Sequence, residues 1–435
     1  MKRSFTIIVL NKRLSIFFLL FFIQFNSAAQ DNLYSRYTTV EAKNKTYKNL
    51  INYTINKNLS LPLNDSTEEN WQDAFAALEL LLYKNSVINK KIDEAFIEIK
   101  SRSKSFQRAL LELSYTNYPS AYIEQATFLM HSTDNAKIFA MCAEYILQSC
   151  NDSCSIESIE KAIIKKFSDD ESDPIIAMLR EHITQLKFPT SPLIKNKVFT
   201  DLLDKRFLQG AIVIFSFQRK DRNYPGIVIV RNAEGKFIRD TSSAIFNVPQ
   251  LARSITNLPG YLTNGNTPQG IFKMFGFSVS SSAFIGTSPN IQMAMPVEMS
   301  LQKFFRDSTI QDTIWGKDLY SRLLPKNFKD YKPLYHSYYA GVAGRTEIIS
   351  HGTAIDPEYY KGQSYYPHTP SQGCLSTMEI WNGRRLESNQ KKLIEALLKA
   401  GGADGYCVVL ELDDKKKPVT IDEILPLLLK AESLK

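Results

Sequence analysis

The spacing of apolar residues changes near residue 190, and this change constrains the fold of the chain more than any other feature. Upstream, apolar residues recur every three or four positions, which is typical of amphipathic helices. Downstream, runs of β-branched and aromatic residues are typical of strands. The pattern predicts an α+β multidomain protein, with an all-α helical domain at 30–195 followed by a β-rich domain at 205–435.

The helical half carries capping signals and apolar stripes for six or seven helices. Residues 66–69 are typical of a capping box, and Asp173 followed by Pro174 predicts the first turn of another helix. No strict repeat period links the helices, so a bundle and an irregular solenoid are both open. Because these stripes are separate from the β-rich half, we expect two independent cores.

The second half begins and ends with strand patterns. Residues 211–217 and 226–231 are apolar runs on either side of a turn-rich segment, and 406–412 is typical of a final buried strand. A helix is predicted at 390–399, and two glycines at 401–402 indicate where it ends. The predicted domain is therefore mainly sheet, with a helix near its C-terminal end.

The first 29 residues are typical of an export signal. A basic flank precedes a short apolar run at 14–25, and Ser27, Ala28 and Ala29 supply small residues where cleavage would occur. A retained anchor is the alternative, but the run is shorter than the roughly 20 residues that span a bilayer. We expect a periplasmic protein with no stable membrane span after signal cleavage.

Cleavage would leave a mildly basic protein. It removes four basic and no acidic residues, so the formal net charge falls from +8 to +4. The sequence has no block of lysine and arginine with interleaved aromatics, so we expect no nucleic-acid partner.

Five cysteines remain, and an odd number leaves at least one thiol unpaired in an oxidising compartment. Cys150 and Cys154 are close enough in sequence for a local disulfide, with Cys142 as a competing partner. This cluster offers too few ligands for zinc, and we expect neither a metal nor a cofactor.

The residues that carry chemistry lie between 350 and 376. Cys374 follows Gly373 in a loop, and His351 lies 23 positions upstream. An imidazole can remove the proton of a thiol and then hold the thiolate as an imidazolium. A glycine before the cysteine permits a tight turn in which backbone N–H groups point at a developing oxyanion. Cys374 and His351 are therefore a candidate nucleophile and base.

Three segments resemble the L,D-transpeptidases, the family with a YkuD-type catalytic domain. In chain order they are NTPQGIF at 266–272, HGT at 351–353 and SQGCLS at 371–376. The resemblance implies that Cys374 is the acylated nucleophile and His351 its general base, with the carbonyl of Gly352 orienting the imidazole. It also implies an oxyanion hole formed by the N–H groups of Gly373 and Cys374.

The resemblance also implies a substrate and a fold. Family enzymes attack the bond after the diamino acid of a peptidoglycan tetrapeptide stem, release D-Ala, and pass the acyl group to an amine. Water as the acceptor would make the enzyme an L,D-carboxypeptidase. The β-rich half would be a YkuD-like catalytic domain, and the helical half would bind the wall or a protein partner. The alternative function is a non-catalytic wall-binding or scaffold protein.

Two positions near Cys374 differ from the family pattern. Gln372 replaces the usual histidine, and its amide N–H₂ can still donate to an oxyanion. Ser376 stands where asparagine or arginine is common. The loop between His351 and Cys374 also contains His368, which could replace the missing imidazole or act as the base itself.

Four further residues are predicted to contact substrate. Ser371 begins the cysteine segment, and Thr267 belongs to the TPQG segment, which could equally be an ordinary turn. Tyr339 and Arg345 lie in a stretch rich in aromatic residues and glycine, of the kind that forms recognition surfaces. Core packing is the alternative role for the tyrosine.

Overall fold

The computed structural model describes residues 38–167, 173–189, 191–381 and 386–434. The predicted export signal at 1–29 lies outside these residues. The first half is helical, as predicted. Its helices are α1 (Val40–Asn49, continued by a π-helical segment, Leu50–Lys57, and a last turn, Asn58–Ser60), α2 (Glu68–Leu80), α3 (Ser86–Glu98), α4 (Lys104–Asn117), α5 (Ile123–Ser132), α6 (Ala136–Ser149), α7 (Ser153–Phe167) and α8 (Pro174–Lys187).

Both predicted helix starts are confirmed, but only one of the two predicted caps forms. The carboxylate of Asp173 accepts hydrogen bonds from the backbone N–H groups of Ile175 and Ile176, and this caps α8. The capping box predicted at 66–69 does not form. Thr67 is the N-cap of α2, but its hydroxyl makes no capping bond. The hydroxyl oxygen accepts from the N–H of Asn64 at 3.1 Å, and the O–H donates to the carbonyl oxygen of Pro62 at 2.6 Å.

The second half is a nine-stranded mixed sheet. Its strands are β1 (Ile212–Gln218), β2 (Gly226–Arg231), β3 (Val248–Gln250), β4 (Gly270–Ser278), β5 (Asn290–Ala294), β6 (Ser350–Thr353), β7 (Leu375–Trp381), β8 (Leu386–Ser388) and β9 (Asp404–Glu411), in the spatial order β3-β2-β1-β9-β4-β5-β6-β7-β8. The predicted strands are confirmed as β1, β2 and β9. The helices of this half are α9 (Leu301–Phe305), α10 (Lys317–Ser321), α11 (His336–Val342), α12 (Asn389–Ala400) and α13 (Ile421–Ser433). The helix predicted at 390–399 is α12.

The sheet curls so that the chain beyond β3, the first strand in spatial order, meets β7, the eighth strand in that order. Beyond β3, the backbone of Leu251 exchanges two hydrogen bonds of 2.8 Å with Ser376 in β7. The residue that follows β3 is therefore hydrogen-bonded to β7. The TPQG segment follows β3 in the chain, and the curl places it beside the segment that contains Cys374.

Both faces of the central strands are buried, which explains their continuous apolar sequences. In β1, Val213, Phe215 and Phe217 pack into the core beneath α13, whereas Ile212 and Ile214 pack into the core beneath α12. Cys407 of β9 is buried in the latter core, and burial raises the pKa of its thiol. This cysteine is a packing residue.

The two halves do not have independent cores, contrary to expectation. Leu258, Tyr261 and Leu262 come from the loop between β3 and β4, yet all three are buried in the core of the helical half. The phenol of Tyr261 also donates to the carboxylate of Glu144 in α6 at 2.6 Å. The helical core is therefore closed by a loop of the β-rich half.

All five cysteine thiols, which lie within the described residues, are free. The local disulfide between Cys150 and Cys154 is therefore not formed. Among the described residues, no helix is both long and apolar enough to cross a membrane.

Candidate active site

The register of two parallel strands brings His351 and Cys374 together. Ser350 of β6 pairs with Leu375 of β7, and His351 pairs with Ser376. Cys374 immediately precedes β7, so its Cα lies on the order of 8 Å from that of His351, given the strand spacing and a two-residue offset. Side chains at this separation can meet. Residues 23 positions apart in sequence thus lie at the same end of neighbouring strands.

The imidazole of His351 is buried and held in one orientation. Its Nδ1 lies 2.8 Å from the carbonyl oxygen of Gly352, and a carbonyl can only accept, so Nδ1 carries the proton. No hydrogen-bond partner for Nε2 occurs among the described residues. Burial lowers the pKa of His351, opposed by this hydrogen bond. The ring is therefore neutral near pH 7, with Nε2 available as a base.

Three hydrogen bonds shape the turn that carries Cys374. The hydroxyl of Ser371 donates to the carbonyl oxygen of Cys374 at 2.9 Å and accepts from the N–H of Gly373 at 3.2 Å. The hydroxyl of Thr267 donates to the carbonyl oxygen of Gly373 at 2.8 Å. Ser371 and Thr267 are both buried. Their hydrogen bonds are made within the protein, so in this structure they fix the turn and do not present a surface to substrate.

The expected oxyanion hole is only partly present. The N–H of Gly373 already donates to Ser371. The N–H of Cys374, by contrast, has no acceptor among the residues that the structure describes. One of the two backbone donors implied by the family resemblance is therefore free.

Arg345 is buried beneath this turn. Its guanidinium donates to the carbonyl oxygens of Gly260, Gly265 and Asn266, in the last case at 2.7 Å. Burial lowers the pKa of Arg345 to about 10, opposed by the nearby Cys374 and Glu298. Arg345 is thus a cation beside the thiol, with its N–H groups on the protein backbone.

The thiol of Cys374 is partly exposed and interacts with the start of β6. Its Sγ lies 3.5 Å from the carbonyl oxygen of Glu347. Burial raises the pKa of Cys374, while the backbone of Ile349 and the charge of Arg345 act in the opposite direction. The sulfur therefore rests as a thiol, directed at a carbonyl and not at the imidazole of His351.

The remaining predicted residues lie at different distances from this turn. Gln372 is exposed, and Ser376 is buried with its hydroxyl donating to the carbonyl oxygen of Thr369 at 2.9 Å. Tyr339 does not join the site: it lines a separate cavity of about 630 Å³ between α8 and α10. Its ring packs against Tyr338, with a centroid separation of 5.4 Å.

His368 lies in the long loop before the cysteine turn. Its Nδ1 is 3.3 Å from the carbonyl oxygen of Tyr365, and its Nε2 is buried with no hydrogen-bond partner in the described part of the chain. Burial lowers the pKa of His368. No hydrogen bond joins this imidazole to Cys374.

Sequence reasoning missed Glu379, a buried carboxyl on β7 five residues after Cys374. A carboxylic acid in the middle of a strand whose neighbours are mostly apolar was the available signal, because such groups are seldom buried without a partner. Its contacts could not be found in the sequence, because they come from the loop between β4 and β5.

Comparison of the chain with family models, with characterised proteins and with solved structures found no match. The interpretation of the site therefore depends on the motif residues and on their geometry.

Proposed function

We propose that the protein is an exported L,D-transpeptidase, which transfers acyl groups of peptidoglycan stem peptides through a thioester on Cys374. One observation carries the proposal. The HGT segment lies on β6 and the SQGC segment leads into the adjacent parallel strand β7, with the imidazole of His351 held by the carbonyl of Gly352. The proposed base and nucleophile thus lie at the same end of neighbouring strands, as the family chemistry requires.

The proposed reaction has two acyl-transfer steps. Nε2 of His351 takes the thiol proton as Sγ of Cys374 attacks the carbonyl carbon of the diamino acid. The N–H of Cys374 and the side-chain amide of Gln372 donate to the oxyanion. The C–N bond then breaks, and D-Ala leaves with the proton from His351. An amine of a second stem attacks the thioester and restores the thiol, or water does so in a carboxypeptidase reaction.

Acylation by a carbapenem tests the proposal, because these compounds react with the cysteine of family members. The intact mass of the protein should rise by the mass of one carbapenem. Cys374→Ala should abolish this adduct and any cross-linked product, and Cys407→Ala is the matched control that should retain both. Equal product from Cys374→Ala and the unmodified protein would overturn the assignment.

A non-catalytic wall-binding protein is the second candidate. It is favoured by the contact of Sγ with the carbonyl of Glu347 and by the burial that raises the pKa of Cys374. In that case the protein would sediment with purified sacculi, Cys374→Ala would bind equally well, and no adduct or cross-link would form.

A further inference from the structure

Glu379 is a buried carboxyl with one satisfied and one unsatisfied oxygen. Its Oε1 accepts from the backbone N–H of Ser288 at 2.8 Å, from the hydroxyl of Ser288 at 2.7 Å and from that of Thr287 at 3.2 Å. Its Oε2 has no hydrogen-bond partner in the part of the chain that the structure describes. Only 1% of the surface of Glu379 is exposed, so solvent has little access to this oxygen.

The unsatisfied oxygen lies against two glycines. A Cβ on Gly352 would lie 1.8 Å from Oε2, and a Cβ on Gly286 would lie 2.2 Å from it. A side chain at either position would displace the carboxyl group of Glu379. This gives a steric reason for the glycine of the HGT segment, beyond the use of its carbonyl.

A hydrogen bond between these two glycines involves the same carbonyl group that orients His351. The N–H of Gly286 donates to the carbonyl oxygen of Gly352 at 2.7 Å. The same oxygen accepts from Nδ1 of His351 at 2.8 Å. The position of this carbonyl, and hence the proton on Nδ1, therefore depends on where the loop of Gly286 is held.

We propose that Glu379 is a positioning residue for the catalytic base, since it anchors the loop of Gly286 to β7 and so fixes the carbonyl that orients His351. The proposal rests on the proposed function only in taking His351 as the base. Through Ser288 and Thr287, Oε1 holds the loop. Through its contacts with both glycines, Oε2 sets their separation.

Burial disfavours the charged form of Glu379. Desolvation raises the pKa of Glu379, opposed by its hydrogen bonds to Ser288 and Thr287. No lysine or arginine of the described residues forms an ion pair with it, so none of them compensates its charge. Glutamine can keep the acceptor at Oε1 in nearly the same volume. Alanine cannot, and it would leave the buried N–H of Ser288 without an acceptor.

The tautomer of His351 tests the proposal without any substrate. Two-bond ¹H–¹⁵N correlation spectra of the full protein labelled with ¹⁵N-histidine report which ring nitrogen is protonated, and His351→Gln assigns the signals among the five histidines. We expect Nδ1–H in the unmodified protein and in Glu379→Gln. In Glu379→Ala we expect a mixture of tautomers, with alkylation of Cys374 slowed about tenfold. Glu358→Ala, which changes an exposed glutamate, is the matched control.

Two results would overturn the proposal: an unchanged tautomer in Glu379→Ala, or an equal loss in Glu379→Gln and Glu379→Ala. If Glu379→Ala does not fold, Ser288→Ala decides, since it removes one donor to Oε1 and should shift the tautomer part of the way. An unchanged tautomer in a folded Ser288→Ala would also contradict it. A protein that shows these tautomer shifts but never forms a thioester would contradict the proposed function alone.

Discussion

The guanidinium of Arg345 occupies the space that a side chain on Gly373 would need. A Cβ at Gly373 would lie 2.0 Å from Nη2 of Arg345 and 2.4 Å from the carbonyl oxygen of Gly265. Gly373 also has φ of +112°, a conformation that other residues rarely adopt. The glycine beside the nucleophile is therefore required by a buried cation beneath it as well as by the turn.

Gly373→Ala should therefore abolish the reactivity of Cys374. The clash and the strained backbone together should cost at least about 2 kcal/mol of unfolding free energy. Denaturant unfolding and iodoacetamide alkylation would measure the two effects. Gly362→Ala is the matched control, because Gly362 has φ of +92° but no atom within 4 Å of its Cβ position. It should lose about 1 kcal/mol and keep its thiol reactivity.

Arg345→Met should shift the pH dependence of thiol alkylation to higher pH. The positive charge of Arg345 lowers the pKa of Cys374, so its removal raises the pKa and leaves less thiolate at a given pH. Arg345→Lys retains the charge and should shift the profile less. A profile that does not move in Arg345→Met, in protein shown to be folded by circular dichroism, would contradict this role.

His351→Ala should slow carbapenem acylation by at least about 100-fold, the usual contribution of a general base. His368→Ala should retain most of the activity, because its imidazole lies against the carbonyl of Tyr365 and has no hydrogen bond to Cys374. Stopped-flow acylation rates of the two variants would be compared directly. The opposite ranking would transfer the role of base to His368.

Local signals could be predicted from the sequence, and long-range contacts could not. Asp173 with Pro174 and the glycine stop at Gly401, with φ of +112°, act within one helical turn, so the residues themselves determine the outcome. Thr67 does not cap α2 through its side chain, because its hydroxyl oxygen accepts from the N–H of Asn64 in the preceding loop. The position of a competing donor in the preceding loop is not encoded in a capping pattern.

The same division holds within the site. Cys374 and His351 could be predicted, because the motif states both residues and their order. The environment of Arg345 could not, because its acceptors are carbonyls of a loop about 80 positions away. Its predicted contact with substrate came from residue type alone, and residue type does not show which way a guanidinium points.

The packing of α8 against α6 in the helical half should weaken as pH rises. The imidazole of His182 in α8 lies 2.8 Å from the carboxylate of Glu144 in α6. Burial lowers the pKa of His182, but the carboxylate raises it by more, so the net shift is upward. A histidine whose folded pKa is raised stabilises the fold below its unfolded pKa, and this stabilisation is lost as pH rises through the folded pKa. Thermal unfolding of His182→Gln should lack this loss, which the unmodified protein should show above about pH 6.5.

A fragment of residues 200–435 should lose most of the reactivity of Cys374. Without the helices, Leu258, Tyr261 and Leu262 become exposed, and the loop that they anchor is released. The carbonyls of Gly260 and Gly265 in that loop are the acceptors for Arg345, so the support beneath Gly373 is lost with it.

Intact mass after carbapenem treatment would compare the fragment with the full chain, and we expect acylation of the fragment to be about 100-fold slower. Restoring residues 31–195 in trans should recover part of the rate if the two pieces reassociate. Tyr261→Phe in the full chain is a milder test, since it keeps the ring in the helical core but removes the hydrogen bond to Glu144. A fragment that is folded and acylates at the full rate would show that the helices contribute nothing to the turn, and that the β-rich half alone builds the site.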